Sequence, residues 1–204
     1  LTGLINRREF EQRLERVLKN SQQRKLEHTL CYLDLDRFKL VNDAAGHAAG
    51  DQLLHKISLL WTKKLRQRDT LARLGGDEFA LLLEYCPLDR GIEIAQELLK
   101  ATQDFHLLWE EQIFHIGVSI GVTGITATSR TVHQILQVAD AACYAAKRAG
   151  RNRLHVHHPG TDGEQRRDWV AHLDKALRED RLQLFHQLLT PMLTHQRGHY
   201  QILL

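Results

Sequence analysis

Residues 70–84 read TLARLGGDEFALLLE, and the fold turns on them. Two apolar runs, Leu71–Leu74 and Phe79–Leu83, are each of strand length and flank Gly75-Gly76. A Gly-Gly pair between strands predicts a tight hairpin, because both residues reach positive φ without steric cost. Asp77 and Glu78 follow the glycines, where the hairpin is tightest. Adjacent carboxylates repel, so an ordinary turn gains little from them. Taken alone, the pair also fits a polar turn with both charges in water, and the surrounding chain has to decide.

Upstream, Thr29–Asp36 (TLCYLDLD) alternates as a strand. Leu33 and Leu35 fall on one face, and Tyr32, Asp34 and Asp36 on the other. Two carboxylates sharing a face at a strand end are costly to bury without a cation. A hard divalent ion suits them, since Mg²⁺ takes oxygen ligands and usually few from protein. A solvated polar strand end is the competing reading.

The other segments supply helices around these strands. Arg8–Leu18 carries Phe10, Leu14, Val17 and Leu18 on one face, and polar Asn20–Arg24 is expected to end it. Phe38–Ala45 reads as a short helix or turn before Gly46-His47, and Ala48–Arg66 as a long helix with an apolar stripe from Leu53 to Leu65. Ile92–Lys100 and Val132–Ala149 are further helices, the latter closed by Gly150. Ile113–Thr123 and Arg153–His157 read as strands. Strands alternating with helices give an α/β sandwich around a central sheet. Pro159–Glu164 is linker-like; a helix from Arg166 to Glu179 and strands at Leu182–Gln187 and His199–Leu204 are expected to begin a second domain.

Composition narrows the function classes. The chain has 204 residues, 43% hydrophobic and 26% charged, with a net charge of +3. That charge, with no run of five or six Lys/Arg, argues against a nucleic-acid polymer as partner. An anionic ligand must be held by a local site. Cys31, Cys86 and Cys143 are odd in number and form no CxxC, which suits a reducing compartment and argues against a zinc site. No apolar run approaches the ~18 residues of a membrane span, and the chain starts at Leu1 as a piece of a longer protein would. His155, His157 and His158 are read as solvated loop residues.

Four motifs, in order, carry a resemblance: LTGLINRREF (1–10), DLDRFKLVNDAAGHAAGD (34–51), RLGGDEF (73–79) and ADAACYAAKRAGRN (139–152). Over residues 1–157 the chain resembles the GGDEF family of diguanylate cyclases. The resemblance implies a central sheet like that of nucleotide cyclases and polymerase palms, flanked by helices, with the GGDEF hairpin at the active site. It implies the joining of two GTP into cyclic di-GMP with release of two pyrophosphates, in a homodimer with one GTP per subunit, using Mg²⁺ or Mn²⁺.

Carried over by position, Asp34, the Leu35 carbonyl and Asp77 match the metal ligands. Asp77, or a metal-bound oxygen near it, then also assists removal of the 3′-hydroxyl proton, with Glu78 in support. Asn42 and Asp51 match the guanine-reading pair; an amide and a carboxylate suit the guanine edge, whose N1–H and N2 amine need acceptors. Phosphates match backbone amides around Arg37 and Phe38 and the cations Lys39, Lys147 and Arg151. Lys147 and Arg151 are four apart and project in similar directions; on charge alone they also complement a helix C-terminus.

Arg66-Gln67-Arg68-Asp69 is an RxxD, separated from Gly75 by five residues. That offset matches the family's inhibitory site for cyclic di-GMP. Arginine both pairs with phosphate and stacks on guanine. Some members add a second arginine on the next helix, where Glu97 stands here, which weakens a crosslinked inhibited dimer. Residues 158–165 then form a linker, and 166–204 resemble the opening of an EAL phosphodiesterase domain, with LQLFHQLLTPM similar to its first strand. In HYQILL, Gln201 occupies the position of a metal-binding Glu, for which an amide is a poor substitute. The implied protein is cytoplasmic at this segment, without membrane contact, whether or not preceding residues anchor the full-length chain. The alternative function is a catalytically silent module that binds GTP or cyclic di-GMP and controls a neighbouring EAL-like domain or partner.

Overall fold

A computed structural model describes residues 1–158, 185–189 and 199–203. The chain divides into two compact units, Leu1–His158 and Pro159–Leu204. The first contains α1 (Arg7–Arg24), β1 (His28–Asp36), α2 (Phe38–Thr62), β2 (Thr70–Gly75), β3 (Glu78–Leu83), α3 (Leu88–Gln103), β4 (His106–Trp109), β5 (Gln112–His115), β6 (Gly117–Ile125), α4 (Val132–Arg148) and β7 (Arg153–His157).

The predicted hairpin is β2–β3, and it pairs outward from β1. Five strands form one sheet in the order β2-β3-β1-β6-β7. All neighbours are antiparallel except β6 and β7. Helices cover both faces, so the fold is α/β with a mixed central sheet.

Period-two alternation sorts β1 between two cores. Cys31, Leu33 and Leu35 join Phe79, Leu81, Val118 and Ile120 against α2 and α3. Leu30 and Tyr32 join Ala72, Ala80 and Leu82 against α1 and α4, through Phe10, Leu14, Ile135 and Cys143. Asp34 and Asp36 therefore lie on the α1/α4 side of the sheet. Gly121 sets how close α4 comes: a Cβ there would stand 2.0 Å from the Ala139 carbonyl oxygen and 2.3 Å from the Cys143 nitrogen. Only glycine lets the helix backbone rest directly on β6.

Several boundaries differ from expectation. α1 continues through Asn20–Arg24, because that turn is anchored by buried Ser21, whose hydroxyl donates to the Leu26 carbonyl at 2.6 Å. α2 ends at Thr62 rather than Arg66, while the break expected at Gly46-His47 is present as a kink at non-helical Gly46 (φ 79°, ψ 168°). The expected strand 113–123 is two strands, and β4, unrecognised in the sequence, pairs with β5 as a separate hairpin. His155 and His157 belong to β7 and are half-buried, not loop residues.

In the second unit, β8 (Phe185–Leu189) and β9 (His199–Leu203) pair antiparallel, with Gln187 opposite Gln201. The expected strands at Leu182–Gln187 and His199–Leu204 overlap β8 and β9, and residues 182–184 and 204 lie outside the described residues. The linker at Pro159–Glu164 and the helix at Arg166–Glu179 lie outside the described residues.

Candidate active site

The β1 end and the hairpin tip meet. Asp34 stands opposite Glu78 in the β1–β3 register, and the Leu35 N–H donates to the Asp77 carbonyl at 3.2 Å. Gly76, at φ 49°, makes the turn that brings Asp77 there. From the other side α4, resting on Gly121, delivers Lys147, whose ammonium lies 2.6 Å from Asp34 Oδ2.

The electrostatics follow from this crowding. Burial, then the neighbouring Asp77 and Glu78 charges, push the Asp34 carboxyl up to about 6 against the opposing pull of Lys147. Burial works against the Lys147 ammonium, but Asp34 outweighs it and leaves the group above its usual range. Glu78 lies 3.7 Å from the Arg7 guanidinium, an ion pair the sequence did not disclose. Burial, then the Glu78 and Asp140 carboxylates, raise the Tyr32 phenol on the same face.

Asp36 behaves differently from its neighbour two residues back. Its Oδ1 accepts from the Ser119 hydroxyl at 2.7 Å and its Oδ2 from the Asn152 N–H at 2.8 Å. Its burial is thus compensated by hydrogen bonds, and no cation is needed to explain it. The burial cost that made the strand-end pair call for a cation is met without one at Asp36, and at Asp34 the observed partner is the Lys147 ammonium.

The guanine-site candidates lie on the two parts of α2. In a straight helix, residues 42 and 50 would be about 12 Å apart along the axis. The break at Gly46 folds them together: a Cβ on Gly50 would fall 1.9 Å from Asn42 Oδ1 and 3.1 Å from Phe38. Asn42 is half-buried, and Asp51, next to Gly50, is exposed. Arg37 takes a left-handed conformation (φ 60°) that turns the chain from β1 into the α2 N-terminus. Phe38 is half-buried, while Lys39 and Arg151 are exposed, Arg151 in the α4–β7 loop.

Arg66 and Asp69 are elsewhere, at the start of β2 and about 20 Å along it from the hairpin tip. They close a turn on each other: the Arg66 N–H donates to Asp69 Oδ2 at 2.9 Å, and the Asp69 N–H to the Arg66 carbonyl at 2.9 Å. Glu97 is exposed on α3.

Residues 1–153 match the family described as diguanylate cyclase, GGDEF domain. The chain belongs to the GGDEF family. It is 44% identical over 159 residues to the probable diguanylate cyclase DgcE of Escherichia coli K12, which covers 78% of this chain and 14% of that protein. It superposes on the crystal structure of the GGDEF domain of PA1120 (YfiN or TpbB) of Pseudomonas aeruginosa with a TM-score of 0.71 at 36% identity, over 78% of this chain and 99% of that one. It superposes on the GGDEF domain of DgcB of Caulobacter crescentus, solved with c-di-GMP, with a TM-score of 0.73 at 29% identity, over 76% of this chain and 89% of that one. The chain thus spans only about a seventh of the length of DgcE.

Two carboxylates, Asp34 and Asp77, and the Leu35 carbonyl are hard oxygen donors, and the Asp34 carboxylate already takes a cation in the form of Lys147. No group of three or more His, Cys, Asp or Glu forms a metal-binding cluster among the described residues. The remaining ligands must come from elsewhere, as in sites completed by substrate phosphates. The donor set fits Mg²⁺ or Mn²⁺. No helix of the described residues is long and apolar enough to cross a membrane.

Proposed function

We propose that this GGDEF domain is a diguanylate cyclase, joining two GTP into cyclic di-GMP and two pyrophosphates in a homodimer with one GTP per subunit. The observation that carries the reading is the junction of Asp34 with the GGDEF hairpin through Leu35 N–H and Asp77. Asp34, the Leu35 carbonyl and Asp77 would hold Mg²⁺ or Mn²⁺. When bound, that cation supplies charge stabilisation at the α-phosphate and lowers the pKa of the attacking hydroxyl.

The chain's own residues do the rest. Asn42 and Asp51 accept from the guanine edge and fix the base. Backbone amides of Arg37 and Phe38, with Lys39, Lys147 and Arg151, hold the triphosphate. Lys147, paired with Asp34 at 2.6 Å, is also within this site to serve the phosphates, and would be released to them if Asp34 held a divalent ion. Asp77 assists removal of the 3′ proton, and Glu78, fixed by Arg7, supports the hairpin. Attack of each 3′-oxygen forms a bond to the partner α-phosphorus and breaks the α–β anhydride, expelling pyrophosphate.

Arg66 and Asp69 are proposed as the product-inhibition site, with Glu97 limiting any crosslink to a second subunit. The segment 166–204 is proposed to open an EAL-like domain that Gln201 makes incompetent for hydrolysis. The segment carrying the GGDEF site is proposed to lie in the cytoplasm, even if preceding residues anchor the full-length protein.

The test is incubation with GTP and Mg²⁺ at several protein concentrations, with and without added cyclic di-GMP. The reading expects cyclic di-GMP, a rate per protomer that rises with concentration, and inhibition by product. A dimeric preparation that binds GTP and makes no cyclic di-GMP overturns it in favour of a silent regulatory module.

A further inference from the structure

Asp36 has both carboxylate oxygens engaged, one by β6 and one by the loop between α4 and β7. That loop carries Arg151 and is held in an unfavourable shape. Arg151 (φ 62°) and Asn152 (φ 47°) are consecutive left-handed residues, neither of them glycine. Such conformations persist only where their surroundings impose them. Two contacts do so here: the Arg151 N–H donates to the Ala146 carbonyl at 3.1 Å, and the Asn152 N–H to Asp36 at 2.8 Å.

Gly117, opposite Asp36 in the β1–β6 register, keeps this contact open. A Cβ there would stand 3.0 Å from Asp36 Oδ2 and 3.3 Å from the Asn152 Cβ. We infer that Asp36 is a positioning residue: it ties the Arg151 loop to the strand that carries Asp34, so the phosphate cation and the metal carboxylate keep one spacing. The inference rests on the proposed role of Arg151 in holding phosphate. It separates the two aspartates of the strand end, giving Asp34 to the cation and Asp36 to the loop.

The test compares Asp36→Ala, Asp36→Asn, Arg151→Ala and the double variant Asp36→Ala/Arg151→Ala. Affinities for Mn²⁺ alone and for GTP with Mg²⁺ are measured by calorimetry. Asp36→Ala and Arg151→Ala are each expected to weaken GTP binding by about tenfold, the loss typical of one hydrogen bond to a charged group. The double variant is expected to bind no worse than about twofold below the weaker single variant, since both changes remove one interaction. Asp36→Asn is expected to recover most of the affinity, because its carboxamide oxygen still accepts from the Asn152 N–H. Mn²⁺ affinity stays unchanged in all four. Gly117→Ala, which crowds the same contact but keeps the carboxylate, gives the same GTP loss and serves if Asp36→Ala does not fold.

Loss of Mn²⁺ binding in Asp36→Ala, of the size seen in Asp34→Ala, overturns the inference by making Asp36 a ligand. Losses of GTP affinity that multiply in the double variant overturn it while leaving the phosphate role of Arg151 intact. An Arg151→Ala variant with unchanged GTP affinity removes that role and the inference together.

Discussion

The Lys147 ammonium lies 2.6 Å from Asp34 Oδ2, where the end of β1 meets the hairpin. One cation thus occupies the carboxylate that the proposed mechanism assigns to another. Removing it exposes the cost of burying Asp34. Lys147→Gln is expected to lower the stability of the metal-free chain by about 1 kcal/mol, modest because the lysine is part-exposed. Mn²⁺ should raise the melting temperature of this variant more than that of the wild type, as scanning calorimetry would show. Equal increments in both would mean that Lys147 does not compete for Asp34.

Asp34 also sets a pH dependence. Its carboxyl is pushed up to about 6, so protons compete for it in a range where ordinary aspartates are ionised. Metal binding needs the deprotonated form. Mn²⁺ affinity is therefore expected to be flat above pH 7 and to fall about tenfold per unit well below pH 6. The effect on folding has the opposite sense: a carboxyl with a raised folded-state pKa costs stability as pH rises from its ordinary value to about 6. Asp34→Asn should remove that cost in metal-free buffer and abolish the response to Mn²⁺.

His28 contributes the reverse slope at the other end of β1. Its Nδ1 accepts the Tyr85 N–H at 2.9 Å, and its Nε2 is buried without a partner. Burial holds its pKa below the usual histidine value, against the pull of Glu84. Stability from this group is complete above about pH 6.5 and is lost as pH falls toward the lowered folded-state value. His28→Asn, whose amide oxygen can take the Tyr85 N–H, should flatten the fall in melting temperature between pH 7 and 5. An unaltered profile would assign the acid response to other groups.

Much of this was readable from the residues. Alternation in Thr29–Asp36 and the two runs around Gly75-Gly76 placed three sheet strands, because period two and a glycine turn are local signals. Asp36 was not readable: its partners Ser119 and Asn152 lie 83 and 116 residues away in sequence. Gly50 was silent for a related reason, since its contact with Asn42 exists only after Gly46 folds α2 back. The extension of α1 was hidden because its last turn is polar outside and anchored by one buried serine.

Gly50 itself makes a prediction. A Cβ at 1.9 Å from Asn42 Oδ1 must displace the carboxamide proposed to read guanine. Gly50→Ala should weaken GTP binding and reduce discrimination against inosine triphosphate, which lacks the N2 amine. Stability should change by only about 1 kcal/mol, because alanine's helix preference offsets part of the clash. Unchanged GTP affinity and unchanged discrimination would show that Asn42 does not contact the base.

The Arg66–Asp69 turn calls for a particular choice of variant. Asp69→Ala would remove both a proposed ligand and the acceptor for the Arg66 N–H. Arg66→Ala and Asp69→Asn keep the turn, and both should raise the cyclic di-GMP concentration needed for half-inhibition without altering the uninhibited rate. If neither moves it, the RxxD is a turn and nothing more.

The most direct measurement compares cyclic di-GMP formation by the wild-type chain and by Asp77→Ala, at matched GTP occupancy and with Mg²⁺. If the hairpin catalyses, the substitution lowers the rate by at least about tenfold, a barrier change of ~1.4 kcal/mol or more, while GTP remains bound. Equal rates in the two proteins would contradict the assignment of the active site to the junction of Asp34 and Asp77.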